Sequence, residues 1–153
     1  MASHSIRAAC LLQLLVLVLA SQPALAEDLT GILTVEISGL KGSSGNVYIA
    51  VYDSDATWLT DEAVLNEKVT IADALDGDLV RVELLLPLGD YALSLFYDQD
   101  GDGKLKTNFI GMPKEPIALS NNVVAKFGPP DYDDAVFSLG AEPVIQNISI
   151  KAF

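Results

Sequence analysis

The sequence predicts an all-β protein, a sandwich of about seven antiparallel strands carrying one long irregular loop. Three observations carry that prediction. Beyond residue 28, short stretches alternate apolar and polar residues with a period of two. Clusters of Gly, Pro, Asn, Asp and Ser punctuate them at short spacing. No stretch there sustains a 3.6-residue period long enough for a substantial helix. Together these features favour a sandwich over a sheet of βαβ units.

The first strand is Leu29 to Ile37, LTGILTVEI, in which Leu33, Val35 and Ile37 fall on one face and Ile32, Thr34 and Glu36 on the other. Ser38-Gly39 ends it. After the turn-rich Lys41 to Gly45, Asn46 to Asp53 forms a second strand, and the two are expected to pair as an antiparallel hairpin with a long loop. Glu67 to Ile71 is a short third strand, with Trp58, Leu59, Val64 and Leu65 as apolar anchors before it. Leu79 to Leu86 and Tyr91 to Tyr97 flank Pro87-Leu-Gly-Asp90, a turn in which Pro fixes φ and Gly permits φ > 0. From Asp98 to Asp133 no period holds and four of the seven prolines gather, so this is the irregular loop. A loop of that length inside a compact domain is usually functional or tied down. Asp134 to Leu139 and Val144 to Ile150 complete the strands; Asn147-Ile-Ser149 matches a glycosylation sequon but is read simply as part of the last of them.

The N-terminus has Arg7, an apolar run from Leu11 to Ala20, and Ala24-Leu-Ala26 ahead of Glu27-Asp28. That is the pattern of a secretory signal peptide, residues 1–26, too short for a membrane span of about 20 apolar residues. The expected mature chain is one domain, residues 27–153, periplasmic or secreted, with no span. Cys10 is the only cysteine and His4 the only histidine, and both fall in the signal. Export without cysteines fits a bacterial envelope. With 9 basic and 21 acidic residues the chain carries −12. Such a balance disfavours nucleic acid and anionic membrane surfaces as partners and favours cations.

Asp98-Gln-Asp-Gly-Asp-Gly-Lys-Leu105 is the one stretch that suggests chemistry. Asp98, Asp100 and Asp102 stand at positions one, three and five of a calcium loop, Gly103 at six, and Lys104 at seven would lend its carbonyl. Position nine is Lys106 and position twelve is Phe109, where an EF-hand has a bidentate Glu, and a strand rather than a helix precedes the loop. An EF-hand is therefore excluded. Two readings remain open. In one, a cation loop on a β scaffold is completed by Asn108, Glu115, Asp131, Asp133 or Asp134. In the other, Asp and Gly simply make a solvated turn. Repulsion of roughly 1 kcal/mol per carboxylate pair in water favours the cation. With no His or Cys outside the signal, the metal expected is Ca²⁺ rather than zinc.

Catalytic triads of the Ser-His-Asp or Cys-His kind lack their histidine and cysteine. Tyr48, Tyr52, Trp58, Tyr91, Phe96 and Tyr97 read as core or strand-surface aromatics, with a sugar-stacking platform as the lesser reading.

FYDQDGDGKLKTNFIGMPKEP (Phe96 to Pro116), then LSNN, then FGPPDYDDAVFSL, resembles the small exported bacterial proteins grouped as domain of unknown function 2141. The family's "G.v.valyd" strand is matched by Gly45 to Asp53, GNVYIAVYD, and its "lp.G.YA" turn by Leu86 to Ala92, LPLGDYA. The resemblance implies a prealbumin-like or immunoglobulin-like sandwich outside the cytoplasm. Two departures stand out: Lys106 occupies a place where the family usually has an acid, and Ile117-Ala-Leu119 replaces a more aromatic, glycine-containing segment. The lost acid removes a candidate ligand.

The expected function is thus a non-enzymatic exported module whose acidic loop is ordered by Ca²⁺ on Asp98, Asp100, Asp102 and the Lys104 carbonyl, presenting residues 108–122 to an envelope protein or glycan. The alternatives are a metal-free structural or interaction domain of the cell envelope, and a carbohydrate-active enzyme using the loop acids.

Overall fold

The structure is a computed structural model describing residues 29–124 and 128–150. The signal peptide expected at residues 1–26 lies outside the described residues. Among these the chain is mostly β: β1 (Thr30–Ser38), β2 (Asn46–Tyr52), β3 (Leu65–Thr70), β4 (Leu75–Asp76), β5 (Leu79–Pro87), β6 (Gly89–Asp98), β7 (Ile117–Leu119), β8 (Phe137–Leu139) and β9 (Val144–Ser149). Two single-turn helices, α1 (Ile71–Ala74) and α2 (Tyr132–Ala135), sit between strands. No described helix is long and apolar enough to cross a membrane.

The strands form two sheets. One has the order β4-β5-β1-β9, the other β3-β2-β6-β7, with β8 added to the start of β6. Each sheet turns an alternating apolar face inward. Leu33, Val35 and Ile37 of β1 meet Val47, Ile49 and Val51 of β2 and Leu93 and Leu95 of β6 in one core, all essentially without solvent contact. Each such side chain contributes about 1.5–3 kcal/mol by leaving water.

The expected hairpin of the first two strands does not form. β1 pairs with β5 antiparallel and with β9 in parallel, whereas β2 pairs with β3 and β6. The buried faces of β1 and β2 instead meet across the core from opposite sheets, the two inner faces of a sandwich interdigitating. The loop between them crosses from one sheet to the other. It ends at Gly45, whose φ of +92° and close approach to the β6 terminus require glycine: a Cβ there would lie 2.8 Å from the Asp98 carbonyl oxygen.

Two other sequence expectations shift. Asp134 to Leu139 is not one strand, because α2 takes Tyr132–Ala135 and only Phe137–Leu139 pairs with β6. The segment from Asp98 to Asp133 is not one irregular loop either. β7 pairs within it, Ile117 with Phe96 and Leu119 with Ser94, and an antiparallel bridge joins Thr107 to Pro113. Both elements are three residues or fewer on each side, too short to display a period.

Candidate functional site

β6 runs out of the core directly into the acidic loop, and Asp98, its last residue, is fully buried. Its carboxylate organises the turn. The Gly101 N–H donates to Oδ1 at 2.7 Å and the Gly103 N–H to Oδ2 at 3.0 Å. Gly103 has φ +75°, the positive value the sixth position of a calcium loop needs, and lies against the Tyr48 hydroxyl. Asp100 and Asp102 are exposed and accept local N–H groups, from Asp102 and Lys104 respectively. One oxygen from each of Asp98, Asp100 and Asp102 can be chosen so that all lie within 4.8 Å.

A cation already sits on this group. The Lys106 ammonium contacts the Asp100 carboxylate and lies 3.2 Å from Asp102 Oδ2. The hydrogen bond from Lys106 holds the Asp100 carboxyl below its ordinary range, and the same bond, seconded by Asp102, holds the Lys106 ammonium well above the ordinary lysine value. The residue that removes a ligand from the sequence pattern thus supplies a tethered positive charge in its place.

The five other candidate ligands do other work. Glu115, 5% exposed, accepts the Gln99 N–H at 3.4 Å and the Lys106 N–H at 3.1 Å, so it clamps the two ends of the acidic turn. Asn108 Oδ1 accepts the N–H groups of Ile110 and Met112, each at 3.0 Å, and caps a tight reversal. Asp131 and Asp133 are placed at the opposite end of the sheet. They flank Tyr132, which packs with Tyr52 and Ala92, whereas Asp98 pairs with Asn46 six residues back along β2, about 20 Å at ~3.3 Å per residue. Asp134 lies there too, lining a shallow depression of about 330 Å³ with Asp55, Asp131, Tyr132 and Asp133. The depression is held by Trp58, whose Nε1–H donates to the Pro130 carbonyl at 2.9 Å and whose ring meets Tyr52 and Tyr132 edge-on. Burial pushes the Tyr52 and Tyr132 phenols up. Of the remaining aromatics, Tyr91 and Tyr97 join the main core, and Tyr48 stacks on Phe96 at 4.9 Å beside the acidic loop.

Sequence reasoning missed the feature beyond the loop. Lys106 and Lys114 face each other through a Lys114 N–H to Lys106 carbonyl bond of 2.7 Å, Thr107 bridges Pro113, and the Asn108 N–H donates to the Met112 carbonyl at 2.8 Å. The result is a braced finger. At its tip Phe109 is 98% exposed, with Ile110 and Met112 also in solvent. The signal was available in the string Asn-Phe-Ile-Gly-Met, four apolar or glycine residues where a polar turn is usual.

The LSNN motif has a structural role. Ser120 is fully buried; its hydroxyl accepts the Leu93 N–H at 2.9 Å and donates to the Ala135 carbonyl at 2.6 Å. Asn121 and Asn122 both take positive φ; the Asn121 backbone N–H donates to Gln146 Oε1 of β9 and its Nδ2–H to the Val136 carbonyl after α2, while the Asn122 side chain bonds the β9 backbone at Asn147 and Ser149.

Comparison with curated proteins and with solved structures finds no match. The family model described as "Uncharacterized protein conserved in bacteria (DUF2141)" matches residues 35–147, which include most of both sheets, the acidic loop and the finger. On that match the chain belongs to this bacterial family.

Proposed function

We propose that the protein is a non-enzymatic binding module of the bacterial cell envelope, acting in the periplasm or outside the cell, with the finger at Thr107–Pro113 as its recognition element. The sandwich in this reading is of the prealbumin-like or immunoglobulin-like kind. One observation carries it: three apolar side chains stand in water at the tip of a segment braced at three levels, by Glu115, by the Lys106–Lys114 backbone bond and by Asn108. Apolar tips are costly to keep in solvent and are retained where they meet a partner; bracing lowers the ordering entropy lost on contact. An envelope protein or a glycan is the partner class first expected. For a hydrolytic role Asp100 is a poor general acid, because the hydrogen bond from Lys106 holds its carboxyl below the ordinary range whereas a general acid needs a raised one.

A photo-crosslinking residue at Phe109, expressed in bacteria, tests this. Adducts at position 109 that are missing when the residue is placed at Asp78, in the exposed β4–β5 turn, are expected. Equal yields at both positions would sink the reading.

A second reading keeps Ca²⁺ in the acidic loop, favoured by the convergence of the Asp98, Asp100 and Asp102 carboxylates and by the positive φ of Gly103. The Lys104 carbonyl would add a ligand. Calcium entry must displace the Lys106 ammonium, so Lys106→Met is expected to bind calcium severalfold more tightly than the unaltered chain in calorimetric titration. Absence of heat from both proteins at millimolar calcium would remove the metal.

A further inference from the structure

We propose that the protein pairs with a second copy of itself through the open edge of β5, the two β5 strands running antiparallel about a two-fold axis at Leu85. This goes beyond the recognition role of the finger and does not depend on it.

β5 has one bonded edge and one open edge. β1 pairs with it from Val80 to Pro87, whereas β4 on the other side reaches only Leu79 and Val80. The Leu88 N–H donates to the Leu29 carbonyl, one step beyond the Thr30–Pro87 pair. Opposed residues in an antiparallel ladder alternate between bonded and unbonded pairs, so Leu84 and Leu86 bond β1 while Glu83, Leu85 and Pro87 turn their main-chain groups outward. Pro87 fits that phase, because its missing N–H falls on the free side. Among the described residues no strand takes the outward groups of Glu83 and Leu85.

The other described edges are blunted. The Asn122 carboxamide occupies part of the β9 edge. β4, β7 and β8 are three residues or fewer, and β3 exposes the polar Asn66, Lys68 and Thr70. β5 instead exposes Leu85, 68% accessible, beside its register partner Ile32 of β1, 42% accessible. An open apolar edge invites the addition of a strand.

The edge is complementary to itself, which selects a second copy over a foreign strand. With the axis at Leu85, the N–H and C=O of each Leu85 meet those of the other, and each Glu83 N–H meets the Pro87 carbonyl of the second copy. That carbonyl accepts the Tyr91 hydroxyl at 2.9 Å and has a lone pair left for the amide. On the outer face Ile32 and Leu85 of one copy join Leu85 and Ile32 of the other in one apolar row across four strands.

Charge fixes the register. An axis at Leu85 sets the two Glu83 side chains four residues apart, about 13 Å at ~3.3 Å per residue, outside a Debye length of about 8–10 Å. An axis at Leu84 halves that separation, and an axis at Glu83 sets the carboxylates face to face. At the strand ends Arg81 is held by Glu36 and Asp76, and Asp78 and Asp90 add further acid. These groups and the chain's −12 resist the pairing, so the dimer tightens as salt screens them. Two strand edges form an interface at the small end of the range, below about 1,200 Å² in total, where association is weak and transient.

The experiment uses the full chain with Cys10→Ser, carrying either Leu85→Cys or Glu83→Cys under gentle oxidation. In the proposed register the two residues 85 lie about 5.5 Å apart at Cα, within disulfide reach, and the two residues 83 lie far outside it. Leu85→Cys is expected to form a disulfide-linked dimer roughly tenfold faster than Glu83→Cys, or more. Sedimentation of the Cys10→Ser chain should show a dimer whose share rises with protein concentration and with salt, weakened by roughly tenfold or more by Leu85→Lys. Both positions are exposed, and unchanged thermal unfolding confirms that the variants fold. Equal linking rates at 83 and 85 overturn the proposal, as does a monomer at every concentration up to millimolar. A dimer that Leu85→Lys leaves intact overturns it too, and would assign the contact to another surface or to residues 1–28.

Discussion

The Lys106 ammonium rests on the Asp100 carboxylate and reaches Asp102 as well, closing an i, i+6 and an i, i+4 contact over one acidic turn. Lys106 is thereby the loop's own counter-ion, and the pH dependence of that contact follows from the direction of the two shifts. Asp100 is depressed below its ordinary 3.8, so its contribution is present above that pH and is lost as pH falls through the lower folded value. Lys106 is raised above 10.5, so its contribution is complete below that pH and is lost only in strong alkali. The melting temperature of Lys106→Met should therefore lie slightly below that of the unaltered chain near neutral pH, and the gap should close as pH falls well below 3.8 and Asp100 takes up its proton. Because both partners are exposed, added salt should shrink it too. A gap that persists in acid would assign the effect to the lysine stem.

Glu115 and Asp98 are expected to matter far more than the two exposed aspartates. Each is buried and accepts two backbone N–H groups. Glu115→Gln and Asp98→Asn each replace an acceptor oxygen with an NH₂ that cannot serve the second N–H, at about 1–3 kcal/mol. Asp102→Ala in the absence of calcium should stay within about 0.5 kcal/mol. Urea unfolding in chelator measures all three, and equal losses at Asp98 and Asp102 would contradict this division of labour.

How far the sequence reveals this molecule depends on the range of each interaction. β1, β5, β6 and β9 are legible because alternation is local: Leu33, Val35 and Ile37 declare a buried face without reference to any partner. Their pairing is not legible. The choice of β5 and β9 rather than β2 as neighbours of β1 is made by the core as a whole. Asp98, Asp100 and Asp102 are legible as a cluster because their convergence is written in a spacing of two. Asp131 and Asp133 read as possible completing ligands because nothing local says that Trp58 and Tyr132 pin their segment to the far end of β2. Lys106 reads as a missing ligand until the fold turns its ammonium back onto the acids.

Ser120 connects three elements that the sequence leaves unrelated. Its hydroxyl joins the Leu93 N–H of β6 to the Ala135 carbonyl at the end of α2, with no solvent contact. Ser120→Ala keeps the shape and orphans both backbone groups, at about 1–3 kcal/mol. Ser120→Cys, a weaker donor and acceptor of similar form, should fall between the two. Chemical denaturation ranks the series. Stability of Ser120→Ala equal to that of the unaltered chain would mean that the hydroxyl's bonds contribute nothing.

Asn122 completes an edge. β9 pairs with β1 on one side, and on the other the Asn122 side chain behaves like the peptide of a missing strand: its Nδ2–H donates to the Asn147 carbonyl at 2.7 Å and its Oδ1 accepts the Ser149 N–H at 2.8 Å. An open strand edge invites pairing with another chain, and this carboxamide occupies part of it. Asparagine also tolerates the positive φ of 54° found here. Two substitutions separate the contributions. Asn122→Gly keeps the backbone conformation and loses both bonds, at about 1 kcal/mol for partly exposed hydrogen bonds. Asn122→Ala loses the same bonds and adds roughly 1 kcal/mol of backbone strain. In both, hydrogen exchange at the Ser149 amide should accelerate by similar factors while amides of β2 stay protected, and self-association should rise with protein concentration. An unchanged Ser149 exchange rate in the glycine variant would show that the edge is guarded by something other than this side chain.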